Sequence, residues 1–215
     1  MSKDTSSTAM IGGADGPTAV LVLKKNDKLT FKQKIEKLKY KIKRNYVERT
    51  IKANSHSMDE VMEYIVNTHG FVELEKEEVH QEYKEMRASF MIQYASDLLG
   101  EYATMPRLKS ESQEDILAHI RQIQNMQQKA MEIPTEQFDI DFHKFQIVFD
   151  DINDNIHIAI EKKFGYIGAG ASGNKKVMKR FHNIYKDVYR YYGVSEEDIK
   201  NKSDRYEQVV LALVH

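Results

Sequence analysis

Along most of the chain the apolar positions recur at intervals of three and four, and in two places that spacing gives way, once to a continuous apolar run and once to alternation. Residues 29–53 carry Phe31, Ile35, Leu38, Ile42, Tyr46 and Val47 at helical intervals, behind Thr30 and Gln33 in the spacing of a capping box. Ser57 and Glu60 repeat that box at the head of residues 55–70, and Gly70 stands where a helix would close. Two longer periodic stretches follow: residues 76–102, ending near Gly100 or before Pro106, and residues 112–133, stopping at Pro134. Residues 175–193 form another. A last helix is capped at Ser195, with Asp198 at the box position, and breaks near Ser203.

Both of these segments read as strands. Residues 18–24 follow a Gly-Pro turn as a short apolar, β-branched run. Further on, Phe145, Ile147 and Phe149 alternate, and after an Asp/Asn-rich turn so do Ile156, Ile158 and Ile160, which predicts a β-hairpin over about 142–162. Two strands alone are marginal in water, so the N-terminal strand is the expected third member. The predicted fold is α+β: a small sheet of the strand at about 18–24 plus the hairpin at about 142–162, packed against five or six helices. Residues 1–215 are expected to form a single domain, with 1–9 a flexible tail.

Composition narrows the class. With 41% hydrophobic and 30% charged residues in 215, the chain is globular and long enough for a sizeable core. There is no cysteine, which excludes disulfides, thiolate metal sites and a cysteine nucleophile and suits a reducing compartment. The longest apolar runs, residues 19–23 and 209–214, fall far short of the roughly 18–20 residues of a membrane span. The first residues lack the apolar stretch of a secretory signal. A cytoplasmic protein without membrane insertion is expected.

Net charge is −1 overall, but it is unevenly spread. Residues 24–52 hold twelve Lys/Arg against three acids, and residues 59–85 hold nine acids against Lys76 and Lys84. The basic helix 24–52, with Tyr40 and Tyr46 interleaved, has the makings of a nucleic-acid surface. The alternative is that the basic and acidic helices lie alongside each other, or form solvated faces, and that reading is preferred.

One motif carries a family likeness. IGGADGPTAV, residues 11–20, resembles a signature in the β subunit of the sodium-translocating carboxylic-acid decarboxylases, membrane pumps driven by decarboxylation. The resemblance covers ten to fifteen residues of the 215. It implies a sodium-binding carboxylate at Asp15, flanked by Gly12, Gly13, Gly16, Pro17 and Thr18, in the manner of interrupted backbone beside an acid in transporters. Because no membrane spans accompany it, sodium transport is not expected. The same residues also read as a turn, with Asp15 accepting backbone N–H bonds and Pro17 stiffening the approach to the strand.

The stretch GYIGAGASGN, residues 165–174, reads as a glycine-rich loop. Its GAGASG core fits the dinucleotide fingerprint, but no βαβ unit follows, and Asn174 stands where a P-loop needs lysine. What remains is an anion cradle of Gly168, Gly170 and Gly173 with Lys175 and Lys176 in the first turn of the next helix. The eight histidines show no metal-ligand spacing, so no metal is expected, and nothing calls for a cofactor. Tyr185, Tyr189 and Tyr192 read as a core stripe. The leading expectation is a protein that acts by binding rather than by catalysis, with a protein partner compatible with the pattern. The alternatives are an anion or small-ligand site near Asp15 and Gly168–Gly173, and nucleic-acid binding through helix 24–52.

Overall fold

The computed structural model describes residues 30–104, 108, 110, 112–149 and 154–214, with the backbone of two N-terminal strands. The protein is α+β, with seven α-helices and two antiparallel sheets among the described residues. It divides into two compact units: Met1–Lys25 with Leu74–Phe142, and Asn26–Glu73 with His143–His215.

The first unit holds β1 (Ser7–Gly13), β2 (Gly16–Leu23), α3 (His80–Tyr94), a 3₁₀ segment (Ser96–Tyr102) and α4 (Gln113–Glu132). Helices α3 and α4 pack on each other around Ala88, Met91, Leu99, Met126 and Ala130. The small residues let the two backbones approach, and the methionines fill the irregular space left between them. Arg87 is buried in this unit at 2% exposure. Its Nε donates to the Phe138 carbonyl at 2.7 Å and its Nη2 to the carbonyl of Ile133, the residue that ends α4. A cation at a helix C-terminus meets both orphan carbonyls and the negative end of the helix dipole.

The second unit holds α1 (Phe31–Thr50), α2 (Met58–His69), β3 (Val72–Glu73), β4 (Phe142–Val148), β5 (Asn155–Glu161), β6 (Tyr166–Ser172), α5 (Lys175–Tyr192), α6 (Glu196–Asn201) and α7 (Asp204–Val214). Its sheet runs in the order β3-β4-β5-β6, antiparallel throughout the described pairings. Ile156, Ile158 and Ile160 of β5 are fully buried against α5 and α7 residues such as Val188 and Val210. At roughly 1.5–3 kcal/mol each, such side chains dominate the unit's stability. Tyr189 and Tyr192 are buried in the same core, and the Tyr189 hydroxyl donates to the Ile167 carbonyl at 2.7 Å, tying α5 to β6.

The capping boxes form as their spacing predicts. Thr30 and Gln33, Ser57 and Glu60, and Ser195 and Asp198 each exchange side-chain and backbone bonds at the heads of α1, α2 and α6. Gly70 closes α2 with φ of 75°, and the C-terminal helix breaks between α6 and α7, at Lys202 and Ser203.

Three expectations are corrected. Strand β2, expected at about 18–24 as the third strand beside the 142–162 hairpin, pairs instead with Ser7–Gly13 in a separate two-stranded sheet, so residues 7–9 belong to a strand rather than a tail. The third strand is β6, made of the stretch read as a glycine-rich loop. Glycine carries no strand signal, yet its backbone pairs as well as any other, and neighbouring side chains cover it. A Cβ on Gly170 would stand 2.5 Å from Nε2 of His157, its cross-strand partner, and one on Gly168 would stand 2.6 Å from the Tyr166 hydroxyl. Finally, α1 packs on α7 rather than forming a helical hairpin with the acidic stretch 59–85. Arg44 pairs with Glu207 of α7 at 2.8 Å as well as with Glu48 of its own helix.

Candidate functional site

The C-terminal half of α1, the end of α5 and the Val209–Leu213 side of α7 enclose a groove of about 550 Å³. Its walls are apolar where Val47, Ile51, Val209 and Leu213 meet, and Tyr46 stands at one edge. Its charged residues are all cations: Lys43, Lys52, Lys186 and Arg190, with Thr50 and Asn54 as neutral polar neighbours. Lys186 and Arg190 lie one turn apart on α5, so they share a face. Lys43 donates from Nζ to the Val214 carbonyl at 3.2 Å. Lys52, Lys186 and Arg190 make no ion pair among the described residues.

A single backbone feature shapes one end of this groove. Residues 54–56 run beside 192–194, with Asn54 N–H donating to the Val194 carbonyl at 2.8 Å and His56 N–H to the Tyr192 carbonyl at 3.0 Å. Arg205 clamps the crossing. Its guanidinium lies 3.8 Å over the Tyr192 ring and donates to the carbonyls of Gly193, His56 and Tyr192. The chain therefore leaves α1 in a fixed direction, which holds Lys52 and Asn54 against the end of α5.

An adjacent face of α5 carries a second polar cluster. Tyr64 donates to Asp187 Oδ2 at 2.6 Å, and His69 Nε2 lies 3.1 Å from the same oxygen. Tyr64 stacks on Tyr191 at 3.9 Å, which stacks on His56 at 4.0 Å. The bond to Asp187, aided by burial and the nearby negative charge, pushes the Tyr64 hydroxyl up to about 12. In the first unit, burial and a hydrogen bond to Asp139 likewise push Tyr83 up to about 12. Tyr185, Tyr189 and Tyr192 are also raised, chiefly by burial.

A raised tyrosine pKa means that the folded state holds a proton the unfolded chain has lost. The stabilisation is therefore complete below about pH 10, the unfolded value, and disappears as pH rises toward about 12. Urea midpoints followed from pH 8 to 11 are expected to fall steeply above about pH 10. In Tyr64→Phe and Tyr83→Phe variants the fall should be shallower. A midpoint flat to pH 11 would contradict the burial and bonding described.

The residues singled out from the sequence fall elsewhere. Asp15 lies outside the described residues. Gly12 and Gly13 sit in β1, and Gly16 and Thr18 in β2, with Gly13 paired opposite Gly16. These belong to the first unit, whereas Gly168, Gly170, Gly173, Lys175 and Lys176 belong to the second. Gly168 and Gly170 are strand residues beneath Tyr166 and His157. At the head of α5, the Lys176 and Val177 amides donate to Asn174 Oδ1, and Asp154 accepts from the Asn174 backbone N–H and side-chain amide. A cap and a carboxylate of the protein thus stand where an anion would meet that helix terminus.

Lys186 and Arg190 were not singled out from the sequence, and Lys52 only as the last cation of the basic helix 24–52. The available signal was the i, i+4 pair of cations late in α5, but which face of α5 meets α1 is a tertiary matter. No family model, curated protein or solved structure matches this chain. Among the described residues, no helix is long and apolar enough to cross a membrane.

Proposed function

We propose that this protein acts by binding, and that its ligand is a small organic anion held in the α1–α5–α7 groove. The observation that carries the reading is the lining: four cations converge on one concave space without a carboxylate among the lining residues. Three of them are left without an internal ion pair among the described residues. The size falls within the range of small-molecule sites, in which a few polar groups orient a ligand against apolar walls. Arg190 sits in the last turn of α5, where the helix dipole favours a cation, and offers a fork that fits phosphate or carboxylate. The lining supplies charge and shape and holds no imidazole, carboxylate or thiol.

We place the protein in the cytoplasm, since a chain without cysteine suits a reducing compartment. The decarboxylase-like motif lies in the other unit, and the proposal does not draw on it.

The test is thermal stabilisation by pyrophosphate, citrate and a nucleotide at matched ionic strength, with chloride as reference. At least one multivalent anion is expected to raise the melting temperature with saturation. A Lys186→Gln/Arg190→Gln variant should lose that effect while melting within about 2 °C of wild type in chloride, because Arg190 is exposed, Lys186 is only half-buried and neither is ion-paired. Equal stabilisation of wild type and variant by every anion would remove the groove from consideration.

A further inference from the structure

Helix α1 has apolar stripes on opposite sides, and only one of them is covered. Tyr40, Val47 and Ile51 face the core of the second unit. Phe31, Ile35, Leu38, Ile42 and Tyr46 fall within about 80° of one another on the helical wheel and point roughly the other way. They are exposed: Phe31 by 80%, Leu38 by 57%, Ile42 by 60% and Tyr46 by 69%. Scattered apolar side chains on a surface need no explanation, but five in line over a length of about 22 Å do.

The cations are arranged around this stripe. Lys34 and Lys41 line one flank and Lys32, Lys39 and Lys43 the other, about 60–100° from the middle of the stripe; the two acids of the helix, Glu36 and Glu48, lie farther round, at about 120°, and Glu48 is paired with Arg44. Lys32, Lys34, Lys37, Lys39 and Lys41 make no ion pair among the described residues. A second copy of the chain is a poor occupant, because two such faces would set five flanking cations against five. Nucleic acid would satisfy the lysines but leave the apolar row in water. A groove on an acidic protein would need a carboxylate rim on both sides of an apolar floor. A plane of negative charge over hydrocarbon satisfies both flanks and the row at once, with the lysine stems reaching up to the head groups.

We propose that α1 lies in the interface of an anionic lipid bilayer through Phe31, Ile35, Leu38 and Ile42, flanked by lysines that meet the head groups. The helix rests on the membrane and does not cross it. The opposite stripe keeps α1 attached to α7 meanwhile, so docking needs no unfolding. This goes beyond the groove reading and stands without it.

The test is sedimentation of the full chain with vesicles of phosphatidylcholine, alone or with about a third replaced by phosphatidylglycerol. Binding is expected to be at least about tenfold tighter on the anionic vesicles. It should fall by at least about tenfold in Leu38→Glu/Ile42→Glu, whose thermal melt should match wild type because both sites are exposed. Lys186→Gln/Arg190→Gln should keep vesicle binding while losing anion stabilisation, so the two proposals fail separately. The chain has no tryptophan, so Phe31→Trp supplies a single emitter. Its emission is expected to shift to the blue on anionic vesicles and to be quenched by lipids brominated on the acyl chain. Absence of vesicle binding, binding retained in full by Leu38→Glu/Ile42→Glu, or an unshifted Phe31→Trp spectrum would each overturn the proposal. So would self-association, duplex DNA binding or acidic-peptide binding that depends on the same stripe while vesicles are ignored.

Discussion

Gly193→Ala is expected to be among the most damaging single substitutions in the second unit, lowering stability by about 3 kcal/mol or more. Two penalties coincide at this position. Gly193 has φ of 57° with ψ of −166°, a positive-φ region that is essentially glycine's alone and harder for a side chain than the left-handed conformation of Gly70. A Cβ there would also stand 1.7 Å from the Asn54 carbonyl oxygen and 2.7 Å from its carbon, both backbone atoms that cannot turn aside. Making room would pull residues 54–56 away from 192–194, breaking the two crossing hydrogen bonds and disturbing the Arg205 clamp. The melting temperature should drop by roughly 6–12 °C, and anion stabilisation should weaken because Lys52 and Asn54 lose their position beside α5. Gly70→Ala is the control. Gly70 has a comparable φ of 75° but nothing within 4 Å of the added Cβ, so it should cost only about 1–2 kcal/mol. Similar losses at the two glycines would show that positive φ alone, and not the close approach of Asn54, decides the outcome.

In the first unit the corresponding position is Arg87. Its guanidinium is buried and spends its donors on the carbonyls of Phe138 and Ile133. Arg87→Ala removes two charge-assisted bonds, leaves both carbonyls unpaired and opens a cavity between α3 and the chain after α4. A loss of about 3–5 kcal/mol is expected. Arg87→Lys should recover less than half of it, because an ammonium on a shorter stem cannot present the planar fork that spans two carbonyls. Arg87→Met keeps most of the packing but none of the donors, and it should resemble Arg87→Ala more than wild type. Urea unfolding of the three variants measures this directly. If Arg87→Met unfolds at the wild-type midpoint, the bonds contribute nothing net and the position is one of packing alone.

These two sites also mark the limits of what pattern conveys. Arg87 lies in a periodic stretch that reads as helix, and its side chain gives no sign in the sequence of being buried. Its acceptors are carbonyls near the end of α4, more than forty residues away. Gly193 looks like an ordinary helix stop. Its special demand comes from the Asn54 carbonyl, brought alongside by the packing of two distant segments.

The sequence by itself determined most of the helices and the capped starts of three, though the stretch 76–102, which reads as one helix, divides into α3 (His80–Tyr94) and the 3₁₀ segment Ser96–Tyr102. Period and capping are local properties: Thr30 with Gln33, Ser57 with Glu60 and Ser195 with Asp198 meet across a single turn, so their spacing is enough to place a helix start. It also determined the alternating hairpin of β4 and β5, the inward row of Ile156, Ile158 and Ile160, and the α+β class. Strand partnership was decided only in three dimensions. The apolar run in β2 said that it was a strand but not which edge it would join, and the glycines of β6 hid a strand because its bulk is supplied by His157 and Tyr166 lying across it. The groove was decided the same way. Lys52 and the Lys186–Arg190 pair lie more than a hundred residues apart, and any of the chain's 32 basic residues could have been the ones to converge. Charge carries no period that names a distant partner, so only the packing of α1 and α5 against α7 could select them.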